Sequence, residues 1–417
     1  MNRSLNAKPS TTRPLLALIL TTLLPLMGLA FLNWHFGTLQ LLYWLEIWTV
    51  LFWSAVEILF AERTHDPTKA LALEDEVLQF EGFRRKIGEL EIAGGYPPVY
   101  PRNASTAVRL LLGGAVPLVI LSLALDPLGW LSFGALTKLS TVTMLFVAGC
   151  CFVSRGIVVR EASLGRRQFE RVSDLGLYQQ AGQYFLFVGG LVLLMAADRA
   201  SPPTIFVLFV LVKLGYELLR HRPGRIPKHW NRVTRYFRDE PNWIEPTCIE
   251  SPEGKPSIEI SANRETVARA GVARAFLSDL MKYWYYGLLG PLWVVSFAGI
   301  LAVGSDLWWM AGVMAITTVV LTVAFVPVKT AEYVAEYGHM TYRVYDDEIV
   351  GYDEWLTEVQ WRLEFRDVTE ISIQQGRIDR RLGTRTIELE TKDGRRIRLA
   401  NLPEGHAIHE DVKHRIR

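Results

Sequence analysis

Cysteine is nearly absent. Only Cys150, Cys151 and Cys248 occur among 417 residues, and they form no CxxC pair. That excludes a disulfide framework and a cysteine-built metal site. Cys150 and Cys151 adjoin inside an apolar run and read as two small helix-packing residues. Charge is also sparse, at 21% Asp, Glu, Lys and Arg, below what a soluble chain of this length normally carries. No nucleotide loop, nucleophile elbow or paired catalytic motif occurs, so the sequence points away from an enzyme and implies no cofactor. No internal repeat relates the two halves, and no Gly/Pro-broken apolar runs fall in matching positions, which is the pattern of many transporters.

What the chain does have is apolar length. Half its residues are apolar and 13 are tryptophan. A bilayer core needs about 20 apolar residues in a helix. Runs of about that length occur at 14–33, 38–60, 108–126, 139–155, 183–198, 203–220, 285–303 and 306–328. Read as spans with the N-terminus inside, they leave only Lys138 and Arg199 in outer loops and Lys213 within a span. The rest of the 45 lysines and arginines then fall on the inner side, as the positive-inside tendency requires. An even number of spans places the C-terminus inside as well.

The second run carries two carboxylates, Glu46 and Glu57. They lie 11 residues apart, about 1,100° of helical rotation, and so share one stripe. As a span, this helix would hold Glu57 near the inner edge and Glu46 roughly 12 Å from the outer one. A deep carboxylate must face protein or water. The sixth run supplies Lys213 at a matching level, with Glu217 one turn later on the same face. These residues define a polar stripe: Glu46 opposite Lys213, with Glu57 and Glu217 nearer the inner side. Three readings stay open for it, namely register between helices, an ion or proton path, and catalysis by a carboxylate of shifted pKa.

Residues 220–238, RHRPGRIPKHWNRVTRYFR, follow directly on an apolar run. Their basic and aromatic mixture suits anionic lipid headgroups better than nucleic acid, with Arg220, Arg222, Arg225, Lys228, Arg232 and Arg235 as candidate contacts. Asn103-Ala104-Ser105 fits a glycosylation sequon, but an inner placement makes it incidental. PSIEIS, 256–261, is a possible short strand.

The N-terminal hairpin with its Leu-Leu-Tyr-Trp-Leu-Glu segment, Leu41 to Glu46, resembles a family of multi-pass membrane proteins of unknown function from archaea and bacteria, over about 14–220. That resemblance implies no activity.

From Tyr342 the periodicity changes to short alternating strands: YRVYDDEIV, VQWRLEF, VTEISIQQ, TRTIELET and RRIRLANL. Lys392-Asp393-Gly394 marks a hairpin turn, and Pro403 to Arg417 reads as one helix. The residues Tyr342-Arg343-Val344, Arg366-Asp367-Val368-Thr369, Gly376 to Arg380, Leu382-Gly383-Thr384, Asp393-Gly394 and Asn401-Leu402-Pro403 resemble the bacterial PH-like domain. Gly351-Tyr352-Asp353-Glu354-Trp355 departs from the glycine-hydrophobic segment that such a domain implies there. Arg377, Arg380, Arg381 and Arg385 cluster, but Asp379, Glu388 and Glu390 lie among them, which favours a solvated face over a lipid site. His406, His409 and His414 share a helical face, yet HAIHE has the wrong order for a zinc-protease motif.

The sequence therefore leads to a membrane all-α bundle of about eight transmembrane helices, followed by a small cytoplasmic PH-like barrel capped by one C-terminal helix. Its expected parts are a six-span unit at 1–220, a basic linker at 221–262, a two-span hairpin with a preceding amphipathic helix at 263–330, and the PH-like domain at 335–417. The expected function is non-enzymatic: a multi-pass plasma-membrane protein that displays a PH-like module to anionic lipid headgroups or a protein partner. The alternative is an ion- or proton-coupled transporter using Glu46 and Lys213.

Overall fold

A single helix organises the first of two units, which comprises Met1–Ala70 and Glu91–Glu245. The computed structural model describes residues 27–28, 31, 36–65, 80–92, 96–125, 141–164, 173–197, 210–215, 243–244, 249–279, 308–403, 412 and 414–415. Helix α1, Phe36–Leu59, buries Tyr43, Ile47, Val50, Leu51, Ser54, Ala55 and Ile58. That spacing of three and four residues makes one continuous packing stripe. Against it lie α2 (Ala104–Leu125), α3 (Thr141–Val158) and α4 (Asp174–Ala197). α3 continues as a wider π-turn through Leu164.

Two glycines permit close approach to α1. A Cβ at Gly114 would stand 2.6 Å from Leu51 Cδ1, and one at Gly156 would stand 2.6 Å from the Trp53 ring. The Trp53 indole N–H donates to the Phe152 carbonyl at 3.0 Å, so this contact is directional as well as apolar.

The C-terminal end of α1 is fastened by the chain that precedes α2. Asn103 Nδ2 donates to the carbonyls of Ile58 at 3.0 Å and Ala61 at 2.6 Å, which are among the carbonyls a helix end leaves without a partner. Arg102 donates to the Glu62 carbonyl. Asn103 is fully buried, so the sequon asparagine is an internal cap. Strands β1 (Thr64–His65) and β2 (Trp243–Ile244) pair antiparallel within the same unit.

The second unit comprises Leu71–Leu90 and Pro246–Arg417. Strand β3, Ile258–Ser261, precedes helix α5, Arg264–Arg274, whose first turn is capped by Asn263 accepting from Glu265 N and Thr266 N. Helix α6 runs from Trp308 to Tyr337 and packs on α5. Six further strands follow: β4 (Met340–Val344), β5 (Glu348–Asp353), β6 (Glu358–Glu364), β7 (Val368–Gln374), β8 (Thr384–Thr391) and β9 (Arg396–Pro403). They form two antiparallel sheets, β3-β4-β5-β6 and β7-β8-β9, with the short helix α7 (Arg377–Leu382) between β7 and β8. Tyr342, Val344, Ile349, Leu389, Leu399 and Leu402 meet in the core between the sheets. The alternating strands expected from the sequence are present. YRVYDDEIV is divided by a turn into β4 and β5, and β3 supplies an extra strand. Pro403 still belongs to β9; of the helix expected over 403–417, only Val412, His414 and Arg415 lie among the described residues, with Val412 in the core.

The eight-span bundle is corrected. Among the described residues, no helix is long and apolar enough to cross a membrane. Polar groups interrupt the described helices: Glu46, Thr49, Ser54 and Glu57 in α1, Ser154 and Arg155 in α3, Asp174, Gln179 and Gln180 in α4, and Lys329, Glu332 and Glu336 in α6. The multi-pass plasma-membrane placement and the positive-inside orientation rested on those spans and are corrected with them. The runs at 14–33, 203–220 and 285–303 fall mostly or wholly outside the described residues.

Candidate functional site

Two polar arrangements stand out, one in each unit. In the first, Tyr43 and Glu46 lie on α1 one turn apart, Tyr184 lies on α4, and Lys213 belongs to the helical residues 210–215. Lys213 Nζ stands 2.5 Å from Glu46 Oε1, and the Tyr184 hydroxyl donates to the same oxygen at 3.2 Å. The ammonium also sits 5.3 Å from the centre of the Tyr43 ring, within cation–π range. Lys213, Tyr43 and Tyr184 are fully buried, whereas the Glu46 side chain keeps 17% of its surface.

Cys151 is close enough to feel this charge. Burial first, and then the Glu46 carboxylate, push its thiol up to about 12. Such a shift disfavours the thiolate that a nucleophilic cysteine uses. Burial, helped by Glu46, likewise raises the Tyr43 phenol well above its ordinary value. The arrangement is chemically closed: the ammonium meets a carboxylate and a ring face, and the carboxylate receives two donors.

The structure thus brings Glu46 and Lys213 together. Glu57 is half-buried further along α1. Glu217, Arg220, Arg222, Arg225, Lys228, Arg232 and Arg235 lie outside the described residues. Tyr184 was not legible as a partner, because a tyrosine in a short apolar run carries no spacing signal. Tyr43 was more accessible to reasoning, since it precedes Glu46 by three residues on a helix.

The second arrangement is on the β-sheet unit. Arg377, Arg380 and Arg381 are exposed on α7 at spacings that put them on one side of a helix. The acids that the sequence places among them are committed elsewhere. Asp379 is buried; its carboxylate accepts from Gly376 N at 3.0 Å and faces Arg274 at 3.3 Å. Glu388 is engaged by Gln374 and by Arg398, and Glu390 faces Arg396 at 3.8 Å. α7 ends at Gly383, whose φ of +64° suits glycine. Between 340 and 403, Arg343, Arg362, Arg366, Lys392, Arg395, Arg396 and Arg398 each face a carboxylate. Arg385 is half-buried and also engaged. Arg377, Arg380 and Arg381 have no carboxylate within 4 Å among the described residues.

Of the three histidines, His406 and His409 lie outside the described residues and His414 is exposed. Among the described residues, no cluster of His, Cys, Asp and Glu could hold a metal ion.

Comparison with known families finds two matches. Residues 4–95 match a family of unknown function (DUF6498), a shorter stretch than the resemblance over 14–220. Residues 290–416 match the bacterial PH domain, and the two antiparallel sheets are consistent with that match. No curated protein and no solved structure matches the chain. The chain combines a domain of unknown function with a PH-like domain.

Proposed function

We propose that this is a non-enzymatic binding protein whose PH-like domain engages anionic lipid headgroups through Arg377, Arg380 and Arg381. The observation that carries the proposal is the charge ledger of that domain. Between 340 and 403 seven other basic side chains face carboxylates and Arg385 is half-buried and engaged, while Arg377, Arg380 and Arg381 present their forks to solvent. A guanidinium offers paired donors suited to phosphate oxygens. Three on one face supply charge without the acids that would cancel it, because Asp379 is turned inward onto Arg274. The solvated-face reading depended on Asp379, Glu388 and Glu390 neutralising the cluster, and each of them has another partner.

Neither arrangement suggests a reaction. Burial disfavours the Cys151 thiolate, and the Glu46 carboxylate is occupied by Lys213 and Tyr184. The transporter alternative placed Glu46 and Lys213 in membrane-spanning helices, and among the described residues no helix is long and apolar enough to cross a membrane.

Co-sedimentation of the full-length protein with vesicles tests the proposal. Binding is expected to anionic vesicles and not to neutral phosphatidylcholine, to weaken with salt, and to fall sharply in Arg377→Gln/Arg380→Gln/Arg381→Gln. Equal binding of the triple variant and the parent would overturn it.

A further inference from the structure

Residues 80–90 make a second kind of recognition on the β-sheet unit, and they make it as a peptide. Lys86 Nζ donates to Asp353 Oδ2, both groups being buried at 5% and 0% exposure. The remaining Asp353 oxygen accepts from Trp355 N at 2.9 Å and Leu356 N at 3.1 Å. That turn holds the carboxylate in place by itself, and Lys86 completes it. One residue on, the backbone of Ile87 is read in both directions by the Gln360 amide. Ile87 N donates to Gln360 Oε1 at 2.9 Å, and Gln360 Nε2 donates to the Ile87 carbonyl at 2.8 Å.

The other end of the segment is held by α6. Gly82 N donates to Glu332 Oε1 at 2.9 Å, and Lys329 donates to the other oxygen of that carboxylate at 2.8 Å. Lys329 also sits 4.6 Å from the centre of the fully buried Phe80 ring. Each glycine suits its place, Gly82 by close approach and Gly88 by its positive φ. A Cβ at Gly82 would lie 2.9 Å from Glu332 Cγ and 2.9 Å from Glu336 Oε2. Gly88 has φ +114°, and a Cβ there would stand 3.1 Å from Glu358 Cγ.

These contacts join residues some 250 or more positions apart in sequence. The core between the two sheets includes no residue of 80–90, and β4, β5 and β6 pair with one another apart from a register shift that leaves Gln360 without a partner on β5. The segment's own secondary structure is one short helix, Glu81–Arg84. Its hydrogen bonds to Glu332, Asp353 and Gln360 are made with side chains of α6, β5 and β6.

We propose that the groove formed by α6, β5 and β6 is a peptide-binding site of the PH-like unit, with residues 80–90 as its resident ligand. The recognised pattern is a phenylalanine, a glycine two residues on, and lysine–apolar–glycine beginning four residues after that glycine. Phe80 fills the apolar seat under Lys329, Gly82 allows the backbone to approach Glu332, Lys86 neutralises Asp353, and Gly88 permits the exit turn. This site is distinct from the arginine face of α7 and does not depend on it.

The test uses the full chain with its own ligand disabled by Gly82→Leu and Lys86→Gln. A fluorescently labelled synthetic peptide of residues 80–90 should bind this variant saturably. It should bind the parent at least tenfold more weakly, because a tethered ligand acts at an effective concentration in the millimolar range. Binding should be lost when the peptide carries the Lys86→Gln change, or when Gln360→Ala is added to the variant. Hydrogen exchange at β8, including Leu389, checks that the sheet core stays closed. Failure of the peptide to bind, indifference to the peptide lysine, or loss of β8 protection in the disabled variant would each overturn the proposal. The last result would make the segment an integral part of the fold.

Discussion

Lys213 and Glu46 form an ion pair whose two partners are unequally hidden. The lysine is fully buried, while the carboxylate keeps 17% of its surface and has Tyr184 as a second donor. Removing one member of a buried pair costs about 3–5 kcal/mol when the other is left charged and dry. Glu46→Gln strands the buried ammonium and should approach that cost. Lys213→Met leaves a carboxylate with a hydroxyl partner and some water, so it should cost clearly less. The double variant should recover most of the loss, since well-packed neutral groups often replace a buried pair without penalty. Hydrogen exchange of the α1 amides at neutral pH measures all three. A costlier Lys213→Met would refute this ordering.

The arginine face gives a graded prediction. A basic residue close to an anionic lipid surface contributes about 1 kcal/mol, roughly a fivefold change in partitioning. Each of Arg377→Gln, Arg380→Gln and Arg381→Gln should weaken vesicle binding by about that factor, with the effects adding. Arg395→Gln should change little, because that side chain is engaged by Asp393. Asp379→Asn should also weaken binding, through loss of the Arg274 contact that sets α7. Partition coefficients from vesicle titrations decide among these outcomes.

Legibility differed by element for physical reasons. The strands of the β-sheet unit announced themselves by alternation, because one face of each is buried against a core residue such as Leu389 or Leu399. The Glu46–Lys213 contact was accessible from depth along two helices, since a charge in an apolar run has few partners to choose from. The apolar runs misled, because a helix hidden inside a bundle and one hidden in lipid share the same composition. α1 is such a case, packed on α2, α3 and α4. Residues 80–90 were illegible: Lys86 stands in a run of basic residues, and nothing local distinguishes it from Arg84 or Arg85. Its partner Asp353 lies 267 positions away. The departure at Gly351 to Trp355 resolves into an irregular register between Gly351 and Tyr352, where β5 accommodates β6.

That irregularity makes Gly351 a sensitive position. The Trp361 ring lies directly over it, leaving no room for a Cβ. Gly351→Ala should destabilise the unit by about 1–3 kcal/mol, the usual cost of overpacking. Trp361→Leu added to it should return part of the loss by opening the space. Denaturant midpoints for the single and double variants test the coupling, and strictly additive effects would argue against direct contact.

Glu336, on α6 beside the 80–90 segment, gives the pH dependence. Burial raises its pKa above the ordinary 4.5, outweighing the hydrogen bond from Tyr337 and the charges of Arg85 and Lys86, while Glu332 pushes the same way as burial. The folded state therefore holds this proton more tightly than the unfolded chain does. Stability from this group is fully present below pH 4.5 and is lost as pH rises through the folded pKa, where the unfolded state binds fewer protons. Glu336→Gln removes the titration. It should stabilise the unit at neutral pH, have little effect in acid, and flatten the stability profile upward of pH 4.5. Unfolding midpoints across that range are the measurement. A variant that loses stability at neutral pH would show that the charged carboxylate is needed by Arg85 and Lys86, and that burial is not the controlling influence.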